Sequence, residues 1–183
     1  MSNSPIIQTE RLHLRTPLKS DAPRIAKYIG EKDVTWNLGR APYPYQLSDA
    51  ETWLEKVRQQ DESYVFAIIH PEDGLIGIVG LDAHPGPVWE LGYWVGKPWW
   101  GHGFVSEAAG GVLDWAEREQ GLSSFVAGHY VDNPASGRVL VKLGFTPVGT
   151  QDMIGAARGF ASPARRYTRG APAELALRND HHH

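Results

Sequence analysis

The sequence predicts an α+β domain built on a mixed, mostly antiparallel sheet with helices on both faces. Three apolar segments at 64–69, 75–81 and 88–95 are joined by the turn sequences PEDG and HPGP, so the strands they form are antiparallel. Across residues 88–131 a strand, a long helix and another strand follow one another, and this unit requires a parallel crossover. The chain shows no repeat and no linker that would mark a second domain.

A first strand and two helices are predicted before the hairpin. Leucines alternate over 11–16, which is typical of a strand. Residues 20–30 begin with Ser-Asp and end with Gly, which are typical first and last residues of a helix. The segment 31–47 is irregular and aromatic. The sequence SDAE at the start of 48–60 is a capping box, and it predicts a second helix over that range.

A glycine-rich turn, Gly101-His102-Gly103, leads from the third hairpin strand into the long helix. Apolar residues recur at helical spacing from Val105 to Ala116, which predicts the helix itself. The later elements are predicted as a strand, a short helix, a strand pair and a frayed tail: 124–131, 133–144, 145–152 with 164–168, and 171–180.

Composition excludes several classes of protein. The chain has 183 residues, and 42% are hydrophobic, which is enough for one sizeable core. The net charge of −3 argues against a dedicated nucleic-acid binder. No apolar run approaches the roughly 20 residues of a membrane span. The first ten residues lack the pattern of a secretory signal, so we expect a cytoplasmic protein with no membrane partner.

The absence of cysteine removes disulfides, thiolate metal sites and a cysteine nucleophile together. The three histidines at 181–183 are set aside as a candidate remnant of a purification tag. The other five histidines are scattered without the spacing of metal ligands, so no metal is expected.

The turn at 101–103 predicts a ligand site. Glycine has no Cβ, so the backbone there can approach a ligand closely. The following helix start offers unpaired N–H groups and the positive end of the helix dipole. These properties favour a ligand that carries phosphate groups, without saying which one.

Three stretches carry a resemblance to a known family. They are TERLHLRTPLKSDA at 9–22, ELGYWVGKPWWGHGFVSEA at 90–108 and NPASGRVLVKLGF at 133–145. Together they resemble the GNAT superfamily of N-acetyltransferases, and more narrowly its RimJ/RimL type of ribosomal-protein N-terminal acetyltransferases. The resemblance covers about 8–168 and leaves 169–183 as a C-terminal tail. It implies one GNAT-like domain with a central splay in the sheet, and acetyl-CoA as the acetyl donor.

The resemblance also implies a set of cofactor contacts. The superfamily's phosphate loop, Arg/Gln-x-x-Gly-x-Gly/Ala, corresponds here to residues 100–105, with Trp at the first position and Val at the last. Backbone amides of residues 102–106 would bind the pyrophosphate, although the bulk of the valine could lower affinity. The main chain at the end of the splayed strand should hold the pantetheine arm and the acetyl carbonyl. The implied contacts are Trp94, Val95, Trp100, Gly101, His102, Gly103, Phe104, Val105, Ser106 and Asn133.

Some of these contacts have plainer interpretations. His102 is either a cation near the phosphates below about pH 6.5 or a solvated loop histidine. Asn133 precedes a proline, so it is also an ordinary N-cap of the short helix. His129, on the strand near the splay, either titrates usefully or is a strand histidine with both nitrogens satisfied.

Transfer of an acetyl group from a thioester to an amine requires a neutral amine, a polarised carbonyl and a stabilised thiolate. Glu90 is the candidate base, directly or through water; the alternative is a carboxylate at the rim. Ser136, by resemblance, approaches the departing sulfur; the alternative is a plain first-turn serine. Tyr130 and Tyr93 are candidate proton donors to the thiolate; the alternative is a core tyrosine with its hydroxyl bonded. Without cysteine, direct attack in a ternary complex is the simplest route.

The acceptor is the least legible part of the sequence. Either a protein N-terminus or a small amine is expected, and residues 31–47 carry both acidic and basic side chains. Trp36, Tyr43, Tyr45 and Trp53 form either a substrate wall or a satellite core beneath a loop. A non-catalytic acyl-CoA-binding or sensor module is the alternative function, and both a monomer and a homodimer remain open.

Overall fold

The structure is a computed structural model that describes residues 5–177. The candidate tag residues and part of the predicted tail lie outside that range. Eight strands run in chain order: β1 Ile7–Gln8, β2 His13–Arg15, β3 Ser63–His70, β4 Gly74–His84, β5 Val88–Val95, β6 Phe125–Tyr130, β7 Thr146–Ile154 and β8 Ala161–Arg169. The α-helices are α1 Ala22–Ile29, α2 Lys32–Thr35, α3 Leu47–Gln59, α4 Phe104–Gln120, α5 Pro134–Lys142 and α6 Ala173–Ala176.

All eight strands form one sheet in the order β1-β2-β3-β4-β5-β6-β8-β7. The strand pairs are antiparallel except β5 with β6, which is parallel because α4 supplies the crossover between them. The predicted mixed, mostly antiparallel sheet in an α+β fold is therefore confirmed.

The sheet divides between β5 and β6. Within residues 5–177, these two strands pair at Trp89 with Phe125 and at Glu90 with Val126. Beyond that point β5 continues along β4 as far as Val95, and β6 continues along β8 as far as Tyr130. The two halves of the sheet diverge from there, and this divergence is the predicted central splay.

Side-chain alternation gives the two faces of the sheet different partners. On one face, Ile78 and Trp94 pack with buried residues of α1 and α3, and we call this the α1/α3 face. On the other, Leu91 and Val95 pack with α4 and α5, and we call this the α4/α5 face. Each face has its own hydrophobic core, so the gap between β5 and β6 connects two separately stabilised layers.

Helix α4 follows the predicted apolar stripe. Its N-cap Gly103 and its C-cap Gly121 both have left-handed backbone angles, with φ of 76° and 68°. The glycine pair inside the helix has a packing reason at Gly111, where a Cβ would lie 2.8 Å from Thr9. The missing side chain thus lets the N-terminal strand lie against the helix.

Two local predictions in the N-terminal half need correction. Helix α3 begins at Leu47 rather than at Ser48, because the Gln46 amide donates to the Asp49 carboxylate at 2.8 Å. The irregular segment 31–47 contains the short helix α2.

The predicted frayed tail is wrong for the residues that the structure describes. Ala176 of α6 is fully buried in a cluster with Val88 and Val126. Arg166 donates from Nε to the Ala176 carbonyl at 2.8 Å. One helical turn is too short to show periodicity in sequence, and its stability comes from these distant partners.

We expect Gly77→Ala to destabilise the fold, since a Cβ there would lie 2.1 Å from the Trp94 carbonyl oxygen and 2.9 Å from Val95 Cα. Backbone atoms of a paired strand cannot move aside cheaply, and overpacking costs about 1–3 kcal/mol. Denaturant unfolding measures the loss. Gly92→Ala, on the neighbouring strand, is the control, because a Cβ there meets no atom within 4 Å. Equal losses in the two variants would contradict the packing argument.

Candidate active site

A cleft of about 1440 Å³ occupies the splay. Its walls come from β5, β6, the start of α4, the start of α5, the loop at 37–40 and the end of β7 with the two residues that follow it, 151–156. The structure brings to this cleft every predicted site residue except the side chain of His102: Glu90, Trp94, Val95, Trp100, Gly101, Gly103, Phe104, Val105, Ser106, Tyr130, Asn133 and Ser136.

One end of the cleft is an anion cradle at the start of α4. Gly101 and Gly103 have φ values of 80° and 76°, a region that favours glycine. The Glu107 amide donates to the Gly103 carbonyl at 3.1 Å. The amides of Phe104, Val105 and Ser106 precede this first helical bond, so they have no partner within the helix. The geometry fits a phosphate group by backbone donation alone.

The N-terminal segment at Thr9 and Arg11 stabilises the anion cradle through hydrogen bonds. The Glu107 carboxylate accepts from the Thr9 hydroxyl at 2.6 Å, from the Arg11 amide at 2.7 Å and from Arg11 Nε at 2.6 Å. Arg11 also donates to the His102 carbonyl at 2.9 Å. Burial works to raise the pKa of Glu107, but these hydrogen bonds together lower it below its ordinary value. These hydrogen bonds of Thr9 and Arg11 with Glu107 were not predicted from the sequence, although all three residues lie in the stretches that carry the family resemblance.

His102 differs from the other predicted contacts. Its side chain is exposed, and its ring centroid lies 5.7 Å from that of Phe104, outside the cleft lining. Its carbonyl is engaged by Arg11. A role for its ring charge near the phosphates stays a prediction.

The tryptophan at the first loop position has a structural task. Trp100 Nε1 donates to the Val95 carbonyl at 2.8 Å, which ties the end of β5 to the glycine turn. A carbonyl oxygen has two lone pairs, so Val95 remains available as a backbone contact.

On the α4/α5 face, Tyr93 and Ser136 form a hydroxyl pair. Their oxygens are 2.6 Å apart, and either can be the donor. Burial raises the pKa of Tyr93 to about 12, so the phenol keeps its proton at neutral pH. Asn133 lies at the N-cap position of α5, yet its side chain makes no capping hydrogen bond. The plain capping interpretation of Asn133 is therefore not supported.

On the α1/α3 face, the candidate base lies in a charged pair. Glu90 Oε2 is 2.7 Å from Arg166 Nη2, and the Arg166 side chain is only 4% exposed. Asp82 stands opposite Glu90 in the β4–β5 register. Burial raises the pKa of Asp82, Arg40 opposes that effect, and the negative charge of Glu90 adds to it. Asp82 was not predicted from sequence, although it lies on the strand that pairs with Glu90.

Tyr130 also lies on the α1/α3 face, at the mouth of the splay. It is 4% exposed, and its hydroxyl has no hydrogen-bond partner among the described residues. Burial raises its pKa. The Arg158 guanidinium lies 3.7 Å from the centre of its ring.

Arg158 is another residue of the cleft region that was not predicted from the sequence. It is buried and donates two hydrogen bonds of 2.8 Å to the Asp132 carboxylate. It also donates to the Trp36 carbonyl at 2.9 Å. It thus fastens the loop between β7 and β8 to two other walls of the cleft. No motif marks it.

The structure distinguishes between the two interpretations of His129. The ring nitrogens of His129 lie 2.7 Å from the Tyr130 carbonyl and 3.0 Å from the Tyr167 hydroxyl, so it is a satisfied strand histidine. Within the aromatic cluster, Trp53 lines the cleft and also packs on the core of the α1/α3 face, and Tyr45 packs on the same core. Tyr43 is 44% exposed.

Within residues 5–177, no group of three or more His, Asp or Glu side chains could hold a metal ion. Over the same range, no helix has the length and apolar character that crossing a membrane requires.

The chain is similar in sequence to known acetyltransferases. The acetyltransferase (GNAT) domain family matches residues 11–146. The uncharacterised N-acetyltransferase p20 of Bacillus licheniformis is 29% identical over 150 residues, which cover 78% of this chain and 83% of that protein. The ribosomal protein uS5-alanine N-acetyltransferase of Escherichia coli K12 is 26% identical over 160 residues, which cover 81% of this chain and 82% of the other.

Two solved structures share the fold. A RimL ribosomal L7/L12 α-N-protein acetyltransferase in complex with coenzyme A has a TM-score of 0.78 and 19% identity, covering 92% of this chain and 99% of the other. The microcin C7 self-immunity acetyltransferase MccE, in complex with acetyl-CoA and AMP, has a TM-score of 0.73 and 20% identity, covering 87% and 92%. The predicted fold and the predicted acetyl donor are confirmed.

We expect Glu107→Gln to lower the free energy of unfolding by about 2 kcal/mol at pH 7, because three hydrogen bonds to a carboxylate are weakened. The pKa of Glu107 is lowered in the folded state, so its stabilisation is complete above the ordinary glutamate pKa of about 4.3. The stabilisation is lost as the pH falls through the folded pKa. Denaturant unfolding of both proteins between about pH 7 and pH 3 checks this.

Glu117→Gln is the control, since Glu117 makes an exposed ion pair with Arg169 and should change stability little. A loss at Glu107 that is the same at all pH values would contradict the electrostatic account.

Proposed function

Because this chain belongs to the GNAT family of acetyl-CoA-dependent N-acetyltransferases, we propose that it transfers the acetyl group directly to a primary amine that enters the splay from the α1/α3 face. One observation carries this proposal. The candidate base Glu90 and the hydroxyl pair Tyr93–Ser136 lie on opposite faces of the sheet, at the point where β5 and β6 separate.

Opposite faces suit the reaction, because the amine must reach an open face of the planar thioester carbonyl while the sulfur and the rest of the donor occupy the other directions around that carbon. The anion cradle and α5 both belong to the α4/α5 face, so the donor's phosphates and thiol lie on that side. The amine then approaches from the other side, past Glu90. Positioning of the two reactants in this way supplies a large part of the rate.

The proton balance follows from the same arrangement. Glu90, directly or through a water, accepts a proton from the ammonium form of the acceptor, and the neutral nitrogen attacks the acetyl carbon. The main chain of Trp94 and Val95 polarises the carbonyl. As the carbon–nitrogen bond forms, the nitrogen loses its second proton to water in the cleft and the carbon–sulfur bond breaks. The thiolate takes a proton from the Ser136–Tyr93 pair, which regains one from solvent.

Tyr93 is a better placed donor to sulfur than Tyr130. Tyr93 bonds Ser136, whereas Tyr130 lies on the acceptor side beneath Arg158. We therefore assign the Tyr130 hydroxyl to the acceptor half of the cleft, where its unpartnered donor can meet the substrate.

A protein N-terminus is the acceptor that we propose first. The cleft continues beyond Glu90 to Asp82 and His84, so it can hold a segment longer than the amine itself. The uS5-alanine acetyltransferase offers the same acceptor class by its name. A small amine is the second acceptor class that we consider, since the MccE structure of the same fold holds a small molecule, AMP, together with acetyl-CoA.

The test is a thiol-release assay with acetyl-CoA against peptides of different N-terminal residues and against small primary amines. We expect turnover with at least one peptide. Cofactor binding without thiol release for any amine would favour the acyl-CoA sensor instead.

We expect Glu90→Gln to lower kcat by about 100-fold while the Kd for acetyl-CoA stays unchanged, because the amide cannot accept the proton. The pH–rate profile measures the role directly. The profile of the variant should differ in shape from that of wild type. An unaltered profile would remove Glu90 from the mechanism. Glu117→Gln, remote from the cleft, serves as the control.

We expect Gly103→Val to abolish measurable binding of acetyl-CoA, since a β-branched residue is strained at a φ of 76° and the cradle amides would turn away. Isothermal titration with coenzyme A measures the loss. Gly121→Val places the same residue at a similar φ of 68° at the far end of α4, and it should destabilise the helix without changing the Kd. Retained binding in Gly103→Val would contradict the loop assignment.

A further inference from the structure

His84 is a buried histidine in the cleft that the reaction above does not use. It is the last residue of β4, it is 6% exposed, and it lines the cleft. Its Nε2 lies 2.7 Å from the Leu175 carbonyl oxygen. Its Nδ1 is buried and has no hydrogen-bond partner among the described residues.

The carbonyl determines which nitrogen carries the proton. A carbonyl oxygen only accepts hydrogen bonds, so the 2.7 Å contact requires a hydrogen on Nε2. In the neutral ring, Nδ1 then carries the lone pair and is an acceptor. A buried acceptor without a donor is costly, and residues 5–177 supply none to Nδ1, so a donor carried by a ligand of the cleft would satisfy it.

His84 lies on the same face as the candidate base. Residues 82 and 84 alternate to one side of β4, and Asp82 stands opposite Glu90. Two strand positions span roughly 7 Å, so His84 lies about that far beyond Asp82, away from the splay. A group bound there is about two extended residues away from an amine held at Glu90.

Resting on the proposed function, we propose that His84 Nδ1 accepts a hydrogen bond from a second donor of the acceptor, about two residues from the reacting amine. The backbone amides of an extended peptide supply such donors at this spacing. A primary amine too short to reach His84 forgoes this bond. His84 is therefore a specificity-determining residue that favours peptide N-termini over compact amines.

The C-terminal helix α6 holds this site in place. The Leu175 carbonyl fixes the ring of His84, and the next carbonyl, that of Ala176, accepts from Arg166 Nε at 2.8 Å. Arg166 in turn pairs with Glu90. Two consecutive carbonyls thus orient the specificity residue and the partner of the base.

The first test is His84→Gln, measured with the best peptide from the thiol-release panel. The glutamine amide can still donate to Leu175, but the Nδ1 acceptor is gone. We expect the KM for the peptide to rise about tenfold, which corresponds to about 1.4 kcal/mol, with kcat and the Kd for acetyl-CoA within about twofold of wild type. His13→Gln, on β2 and outside the cleft, is the control and should change none of these.

The second test separates substrate contact from a structural role. Analogues of the same peptide are N-methylated singly at the second or third backbone amide. In wild type, one of them should raise KM by about tenfold; in His84→Gln that same analogue should cost nothing further. Additive losses, or an unchanged KM in His84→Gln, would overturn the proposal.

A third measurement uses the unaltered protein. In a two-bond nitrogen–proton spectrum of the protein labelled with ¹⁵N-histidine, His84 should show the tautomer with hydrogen on Nε2. Its Nδ1 resonance should shift when the peptide is added to the coenzyme A complex. If no amine is acetylated, the proposed function fails, and this titration still decides whether Nδ1 binds a donor. An unmoved Nδ1 resonance at saturating peptide would overturn the site.

Discussion

The parallel contact between β5 and β6 is the constraint on which the rest of the structure depends. It joins the two halves of the sheet through Trp89 with Phe125 and Glu90 with Val126. A longer ladder would close the cleft and satisfy the edge groups of β5 within the sheet. A shorter ladder would leave the register between the two halves of the sheet undefined. The contact is held from both sides, because β4 and β8 fix the outer edges and each face has its own core.

The functional groups of the cleft are distributed over the two faces of the sheet, which pack against different helices. The α4/α5 face carries the anion cradle and the Tyr93–Ser136 pair, where negative charge arrives or develops. The α1/α3 face carries carboxylates, a buried guanidinium and a histidine, which are the groups that manage protons and hydrogen-bond donors. In the proposed reaction, donor and acceptor are recognised by separate layers and meet where β5 and β6 separate.

Many of the strands, helices and turns could be predicted from the sequence. The features that could not be predicted depend on contacts between residues far apart in the chain. The bounds Val88–Val95 of β5 were predicted correctly, because turn residues flank a segment rich in valine and aromatic residues. The glycine cradle was predicted because its signal is contiguous. Arg158 and His84 were not assigned roles, since their partners Trp36 and Leu175 lie 122 and 91 residues away in the chain. Helix α6 has no periodicity to read, and its stability is entirely tertiary.

The position of Arg158 has a consequence for how acceptor preference can change. One guanidinium touches the Trp36 carbonyl, the Tyr130 ring and the carboxylate of Asp132, which precedes the predicted cofactor contact Asn133. A substitution that reshapes the loop at residues 36–39 therefore transmits its displacement to the donor side of the cleft. Such changes combine non-additively, because the network shares one residue. A change of acceptor through this loop is therefore expected to need coordinated substitutions around Arg158.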